Sequence, residues 1–240
     1  MSGDLTRPAT ESTVNRVLSP DRPWVRILRL LMGLFALAAV GYNTYQSATG
    51  AGDSTVVQLF SMFTIQSNLV FAAVLIIGAL VARARLPHWW DHLRGALAFY
   101  LVMTGIVYAL LVAPASEVWS WDITWTNLAL HRLAPWFAFL DWVLVTMWVR
   151  ARLWRVLAWV AYPAAFLAYT WIRGAIVHWY PYSFLDPRPP SNWNTVLVVT
   201  GIVLIAFLVM SLVLHLLGNL RVRLAERAAL PENRAGSLTR

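Results

Sequence analysis

The chain alternates between long apolar stretches and short polar connections. Most of the apolar stretches reach the roughly 20 residues that an α-helix needs to cross about 30 Å of hydrocarbon. Because a backbone that crosses lipid must satisfy its own hydrogen bonds, each stretch is expected to be a helix. The pattern therefore predicts an all-α polytopic membrane protein, a six-transmembrane-helix bundle with spans at Trp24–Tyr45, Val56–Val81, Ala96–Val112, Leu128–Val149, Val156–Ile176 and Val196–Leu217.

The composition agrees with lipid as the main solvent of the chain. Hydrophobic residues make up 59% and charged residues 12%, about half of the ~25% that is usual in soluble domains. We expect a disordered cytoplasmic tail over 1–23, the transmembrane domain over 24–218 and a basic cytoplasmic tail over 219–240. The chain has no cysteine and no lysine, which excludes disulfides, thiolate metal sites and Schiff-base chemistry. No metal and no cofactor are expected.

All 19 basic residues are arginine, and their placement predicts the orientation of the bundle. Sixteen of them lie in the two tails, at the start of the first span, or in the second and fourth connections, whereas the first and third connections, 47–55 and 113–125, contain none. Cytoplasmic loops of membrane proteins carry the excess of arginine. We therefore expect a protein of the cell membrane with both termini in the cytoplasm. The net charge of +8 is then explained without nucleic acid, membrane lipids are the expected partners, and the oligomeric state stays open.

Two predicted spans carry polar stripes. Ser61, Thr64 and Asn68 have the i, i+3, i+7 spacing of one helix face. Asn127 and His131 begin a second narrow seam, on the fourth span. Polar side chains inside a membrane mark a functional site by default, but Ser, Thr and Asn also join helices by hydrogen bonds. Both interpretations remain open from the residues alone.

Three further polar residues are open to the same two interpretations, a functional site or a structural role. Asp141 continues the seam of His131 towards the predicted midplane, where it should be paired with a neighbouring helix or protonated. Arg173 and His178 lie at the end of the fifth span, in an aromatic segment that could equally be a lipid-interface belt. The running directions of the spans place four residues in the outer half of the bilayer: Thr64, His131, Arg173 and His178. This predicts one outer site.

Three motifs together suggest a family. They are FTIQSNL over Phe63–Leu69, the spacing N-x3-H-x9-D from Asn127 to Asp141 with a proline soon after the histidine, and WYPYSFL over Trp179–Leu185. Over roughly Val25–Leu217 the chain resembles the androgen-induced protein and androgen-dependent TFPI-regulating protein family, and more closely its bacterial six-helix relatives. The animal members are membrane threonine hydrolases that cleave fatty acid esters of hydroxy fatty acids. The resemblance implies that Thr64 is the catalytic threonine and His131 the catalytic histidine.

The chain also departs from that pattern. The family has a glutamate where Asp141 stands here, and the pair Ser67–Asn68 replaces an acidic residue one turn after the threonine. A threonine needs a base to become a nucleophile, and a neutral His131 could be that base. We assign structural roles to Asn127 and Asp141. The candidates for stabilising an oxyanion or holding a lipid carboxylate are Asn68, Arg173 and His178.

The resulting hypothesis is an integral membrane lipid-ester hydrolase with a long-chain acyl ester as its substrate. It predicts a pocket that contains Thr64 and His131, with Asn68, Arg173 or His178 in its wall, and a mouth flanked by Trp119, Trp121, Trp125 and Trp179. A small proton-coupled transporter is one alternative, because midplane carboxylates are typical of proton relays. A non-enzymatic lipid-binding protein is another.

Overall fold

The computed structural model describes residues 19–120, 123–145 and 152–229, and over these residues the chain is helical with no strand. The helices are α1 (Pro23–Thr49), α2 (Val56–Phe60), α3 (Phe63–Leu80), α4 (Trp90–Val107), α5 (Ala115–Val118), α6 (Trp125–Leu128), α7 (Ala134–Leu144), α8 (Trp154–Val177) and α9 (Trp193–Ala229). A π-helical turn, Tyr108–Val112, continues α4, and another, Ala129–Leu133, joins α6 to α7.

Among the described residues, five helices are long and apolar enough to cross a membrane: Pro23–Thr49, Phe63–Leu80, Trp90–Val112, Trp154–Val177 and Trp193–Leu224. The fourth predicted span is helical from Trp125 to Leu144. It falls outside these five because His131, Arg132 and Asp141 lower its hydropathy. Residues 146–151, where its predicted end lies, are outside the described residues.

The second predicted span is not continuous, which corrects the expectation of one helix over Val56–Val81. A capping box between Thr55 and Gln58 starts α2, and the chain breaks at Met62, whose backbone is extended, before α3 begins. The side-chain amide of Gln66 donates to the carbonyl of Phe60 at 2.8 Å and satisfies one backbone group at the break. Thr64 consequently lies in the first turn of α3 and not deep within a longer helix.

Two other helix ends differ from the sequence prediction. The third spanning helix begins at Trp90 and not at Ala96, so Arg94 lies within it. The last helix continues past Leu217 to Ala229, so the first part of the expected tail 219–240 is helical.

Glycines let the helices approach closely. A Cβ added to Gly33 of α1 would lie 3.1 Å from the carbonyl oxygen of Ala72 in α3. A Cβ on Gly95 of α4 would lie 2.4 Å from the ring of Trp159 in α8. The main core then fills the space between α3, α4, α7, α8 and α9, with Phe63, Phe99, Trp142, Trp159 and Phe207 among its residues.

The bundle has two chemically different ends. We call the end where α3 begins and α4 finishes the cavity end. We call the opposite end, where α1 and α4 begin and α7 finishes, the arginine end.

Candidate active site

A cavity of about 430 Å³ opens between the helices at the cavity end. Most of its wall is apolar, with Met103, Phe166, Leu204 and Phe207 as examples. Its volume is within the range of ~300–1,000 Å³ typical of small-molecule sites. The polar residues that line it include Thr64, Tyr108, Asn127, His131, Tyr182 and Thr200.

Thr64 reaches the cavity from the first turn of α3. The N–H groups of a first turn have no acceptor within their own helix, and that of Thr64 donates to the hydroxyl of Tyr182 at 3.4 Å. Behind it, the amide of Asn68 donates to the Thr64 carbonyl at 2.9 Å. The break in the chain therefore brings both a hydroxyl and a backbone donor that has no acceptor in its own helix to the cavity wall.

His131 lies in the π-helical turn Ala129–Leu133. Pro135 follows four residues later and has no N–H, so it cannot donate to the His131 carbonyl in the usual helical way. The same carbonyl faces Gly105 of α4, where an added Cβ would lie only 3.1 Å from it. The proline and the close glycine contact explain why the helix is irregular at the residue that lines the cavity. Irregular turns of this kind are frequent at functional sites.

Tyr108 holds the imidazole of His131 in place. The two rings stack with centroids 3.8 Å apart and planes 15° from parallel. The Tyr108 hydroxyl donates to Glu117 at 3.0 Å and accepts from the Asn127 amide at 3.0 Å. Asn127 thus contacts the residue whose ring stacks on His131. Tyr108 was missed by the sequence analysis, and its only signal was a polar tip near the end of an apolar span.

Tyr182 was missed as a site residue, although it belongs to the WYPYSFL motif. It comes from the connection between α8 and α9, and its ring stacks on Phe184 with the planes 10° apart. Its hydroxyl accepts a hydrogen bond from the backbone N–H of Thr64 at 3.4 Å. Burial raises the pKa of Tyr182, so the phenol remains protonated at neutral pH.

Three residues expected in the cavity wall lie elsewhere, which corrects that part of the prediction. Asn68 is fully buried behind Thr64, where its amide donates to two backbone carbonyls. Arg173 packs over the ring of Trp179 at 5.1 Å. His178 is exposed with a left-handed backbone (φ 53°) and ends α8. None of the three side chains belongs to the cavity wall, so none is placed to hold an oxyanion there.

The tryptophans expected to flank the cavity mouth are not part of the cavity wall where they can be placed, and a tryptophan-flanked mouth stays a prediction. Trp119 is 89% exposed on the third connection, and Trp125 packs against Tyr42 with centroids 5.3 Å apart. Trp179 packs under Arg173. These three lie outside the cavity wall, while Trp121 is outside the described residues.

Asp141 has the partners on neighbouring helices that its depth predicted. Its carboxylate pairs with Arg29 of α1 and with Arg94 of α4, each at 2.7 Å. Arg94 continues to Asp91 at 3.2 Å, and Asp91 pairs with Arg83 at 2.7 Å. We call this chain of five buried residues the ionic network. Asp141 lies one turn before the end of α7, at the arginine end and about 15 Å along the helix from His131.

The ionic network corrects one step of the topology argument. Arg29 was counted at the start of the first span and Arg94 in the second connection, yet they are only 4% and 7% exposed. Their positions at the arginine end are unchanged by this. Their role is to neutralise buried carboxylates and not to meet lipid headgroups.

Arg132 shapes the connection next to the cavity. Its guanidinium donates to the carbonyl of Ser120 at 2.5 Å and to that of Glu117. Glu117 is also the acceptor for Tyr108. Arg132 therefore acts on the site indirectly, by holding the loop that carries Glu117.

Comparison of the chain with protein-family models, with curated proteins and with solved structures finds no match.

Proposed function

We propose that this protein is a membrane-embedded hydrolase of long-chain acyl esters, with Thr64 as nucleophile and His131 as general base. The observation that carries the proposal is that both side chains line one largely apolar cavity. They come from different helices, α3 and the turn before α7, which are brought together by the fold. An apolar wall suits an acyl chain, and a few polar groups at one end suit an ester.

The proposed chemistry follows acyl transfer. The imidazole of His131 takes the proton of the Thr64 hydroxyl as the hydroxyl oxygen bonds to the ester carbonyl carbon. Collapse of the tetrahedral intermediate breaks the ester C–O bond, and His131 returns the proton to the departing alkoxide. Water then attacks the acyl-threonine with His131 again as base, which releases the fatty acid and restores Thr64.

We further propose six spans, with the cavity end outside the cell and the arginine end in the cytoplasm. The helical run Trp125–Leu144, the fourth span along the chain, brings the number of spans from five to six. It packs within the bundle, where the ionic network neutralises Asp141. The arginines of the second connection and of the first helical turns lie at one end, which agrees with the positive-inside rule. Reporter fusions after Gly50 and after Pro114 should both be extracytoplasmic; a cytoplasmic signal from either would contradict this orientation.

The structure gives little support to a proton-coupled transporter. Asp141 was the candidate relay carboxylate, but it is held by two guanidinium groups at the arginine end, away from the cavity wall. A relay carboxylate has to exchange protons along a pathway, and two short ion pairs oppose protonation.

A fluorophosphonate probe tests the proposal directly, because it forms a covalent bond with an activated hydroxyl nucleophile. Wild-type protein in detergent should be labelled at Thr64 and Thr64→Ala should not. Thr170→Ala is the matched control, since Thr170 is a buried threonine outside the cavity wall; it should be labelled like wild type. Folded protein that is not labelled at Thr64 and cleaves no ester would exclude the hydrolase and favour lipid binding.

A further inference from the structure

We infer that Tyr182 is a catalytic residue, whose phenolic O–H donates a hydrogen bond to the oxyanion together with the backbone N–H of Thr64. This inference rests on the proposed hydrolase function. It replaces the three oxyanion candidates of the sequence analysis, which lie outside the cavity wall.

The geometry brings two donors to the same point beside the nucleophile. The Tyr182 oxygen is 3.4 Å from the backbone nitrogen of Thr64. A separation of 3.4 Å is long for an N–H···O bond, so a carbonyl oxygen that arrives there can replace the phenol as acceptor with little loss. Thr64 and Tyr182 both line the cavity.

The start of α3 adds to this arrangement. The residue four positions before Thr64 is Phe60, whose carbonyl instead accepts from the side chain of Gln66 at 2.8 Å. The Thr64 N–H therefore has no acceptor in its own helix, and its partner is the Tyr182 hydroxyl at 3.4 Å. A helix N-terminus also carries a partial positive charge that favours a developing anion. His131, whose buried Nδ1 has no protein hydrogen-bond partner, lines the same cavity.

The role is that of a donor that keeps its proton. When Thr64 attacks, its proton goes to His131, the new C–O bond forms, and the electron pair of the C=O bond moves to the carbonyl oxygen. That oxygen then accepts hydrogen bonds from Tyr182 and from the Thr64 N–H. When the intermediate collapses, the ester C–O bond breaks and the alkoxide takes the proton from His131. The phenol of Tyr182 remains a neutral O–H throughout.

The test is Tyr182→Phe, which removes one oxygen and keeps the ring that stacks on Phe184. Loss of one oxyanion donor should lower kcat roughly 10²–10³-fold. The KM should change less than about threefold, because the lost interaction forms mainly in the transition state. The measurement is the hydrolysis of p-nitrophenyl decanoate in detergent micelles at matched amounts of folded protein. The rate of fluorophosphonate labelling at Thr64 should fall in parallel.

Tyr100→Phe is the matched control. Tyr100 also has a buried hydroxyl, which donates to the Trp159 carbonyl at 3.0 Å, but it lies outside the cavity wall. This variant should lose stability and keep its kcat. If Tyr182 were only structural, Tyr182→Phe would behave in the same way.

The outcomes separate the two proposals. If wild-type protein cleaves no ester and is not labelled, the hydrolase fails and the role of Tyr182 fails with it. If wild type is active and folded Tyr182→Phe retains its kcat, the oxyanion role is wrong and the hydrolase stands. If Tyr182→Phe does not fold, 3,5-difluorotyrosine at position 182 keeps the shape and lowers the phenol pKa. Its kcat should fall at alkaline pH values where wild type is still active, and a pH profile like that of wild type would overturn the inference.

Discussion

Asp141→Asn keeps the shape of the side chain, yet it should be among the most destabilising substitutions of this conservative kind in the protein. The carboxylate accepts from Arg29 at 2.7 Å and from Arg94 at 2.7 Å, and its side chain is only 8% exposed. Arg94 also donates to the backbone carbonyl of Asp141 at 2.9 Å. In Asp141→Asn the two guanidinium groups stay buried, lose half of the opposing charge and face a side-chain amide that is itself partly a donor.

The size of the effect follows from that geometry. Removing one partner of a buried ion pair costs about 3–5 kcal/mol, because it leaves an uncompensated charge in a medium of low dielectric constant. The free energy of unfolding would be measured in mixed micelles by SDS titration, with helicity followed by circular dichroism. Asp186→Asn is the matched control, because Asp186 forms an equally short pair with Arg188 at 2.6 Å whose side chains are 24% and 47% exposed. Exposed pairs contribute little to stability.

The comparison can refute the reasoning. If Asp141→Asn and Asp186→Asn lower the free energy of unfolding equally, burial does not govern the ionic network. Arg29→Gln in the Asp141→Asn background should lower the free energy of unfolding much less than Arg29→Gln does in wild type. The reason is that the effects of substituting two contacting residues are not additive. At matched amounts of folded protein, Asp141→Asn should keep part of its ester hydrolysis, because its side chain is distant from the cavity. Complete loss of activity in a folded variant would contradict this separation.

The remaining predictions concern ring positioning, helix approach and pH. Tyr108→Phe keeps the ring stacked on the imidazole and should retain more activity than Tyr108→Leu, measured as kcat on the same ester; equal losses would argue against stacking. Gly95→Ala forces a Cβ against two tryptophan rings, at 2.4 and 2.7 Å, and should lower the unfolding free energy by about 1–3 kcal/mol. Gly41→Ala, with nothing within 4 Å, should not lower it. The guanidinium of Arg188 lowers the pKa of Asp186, so the stability that this pair contributes is present above the unfolded pKa and is lost as the pH falls through the lower folded pKa. Acid should therefore lower the Tm of wild type slightly more than that of Asp186→Asn, and identical pH profiles would count against the pair.

Hydropathy predicted most of the architecture because lipid imposes simple rules on a chain. A spanning helix must be long and apolar, and the five helices that meet this condition among the described residues overlap five of the predicted spans. The sequence did not predict the break before α3, because Ser61 and Met62 are neither glycine nor proline, the residues that mark helix ends most clearly. The T-x-x-Q sequence from Thr55 to Gln58 was readable as a capping box, but nothing in it says that the helix ends one turn later.

The arginine partners of Asp141 could not be chosen from the sequence. Counting arginines for topology treats each of them as a loop charge, and only packing distinguishes Arg29 and Arg94 from their exposed neighbours. The rule that a buried carboxylate must be paired predicted that a partner exists. Its identity depends on which helix starts lie beside the end of α7, which is a property of the tertiary fold.

His131 and Asp141 lie near opposite ends of one helical run, and this links the two ends of the bundle physically. The ionic network ties the end of α7 to the starts of α1 and α4. At its other end, α4 carries Tyr108, which stacks on His131. The network therefore fixes the relative height of the two helices whose far ends hold the imidazole and its stacking ring. Rigid helices pass a small shift along their length, so weakening the network should loosen the stack of Tyr108 on His131 at the far end of the bundle. Asp141 is therefore expected to contribute to full activity although it lies about 15 Å from the proposed base.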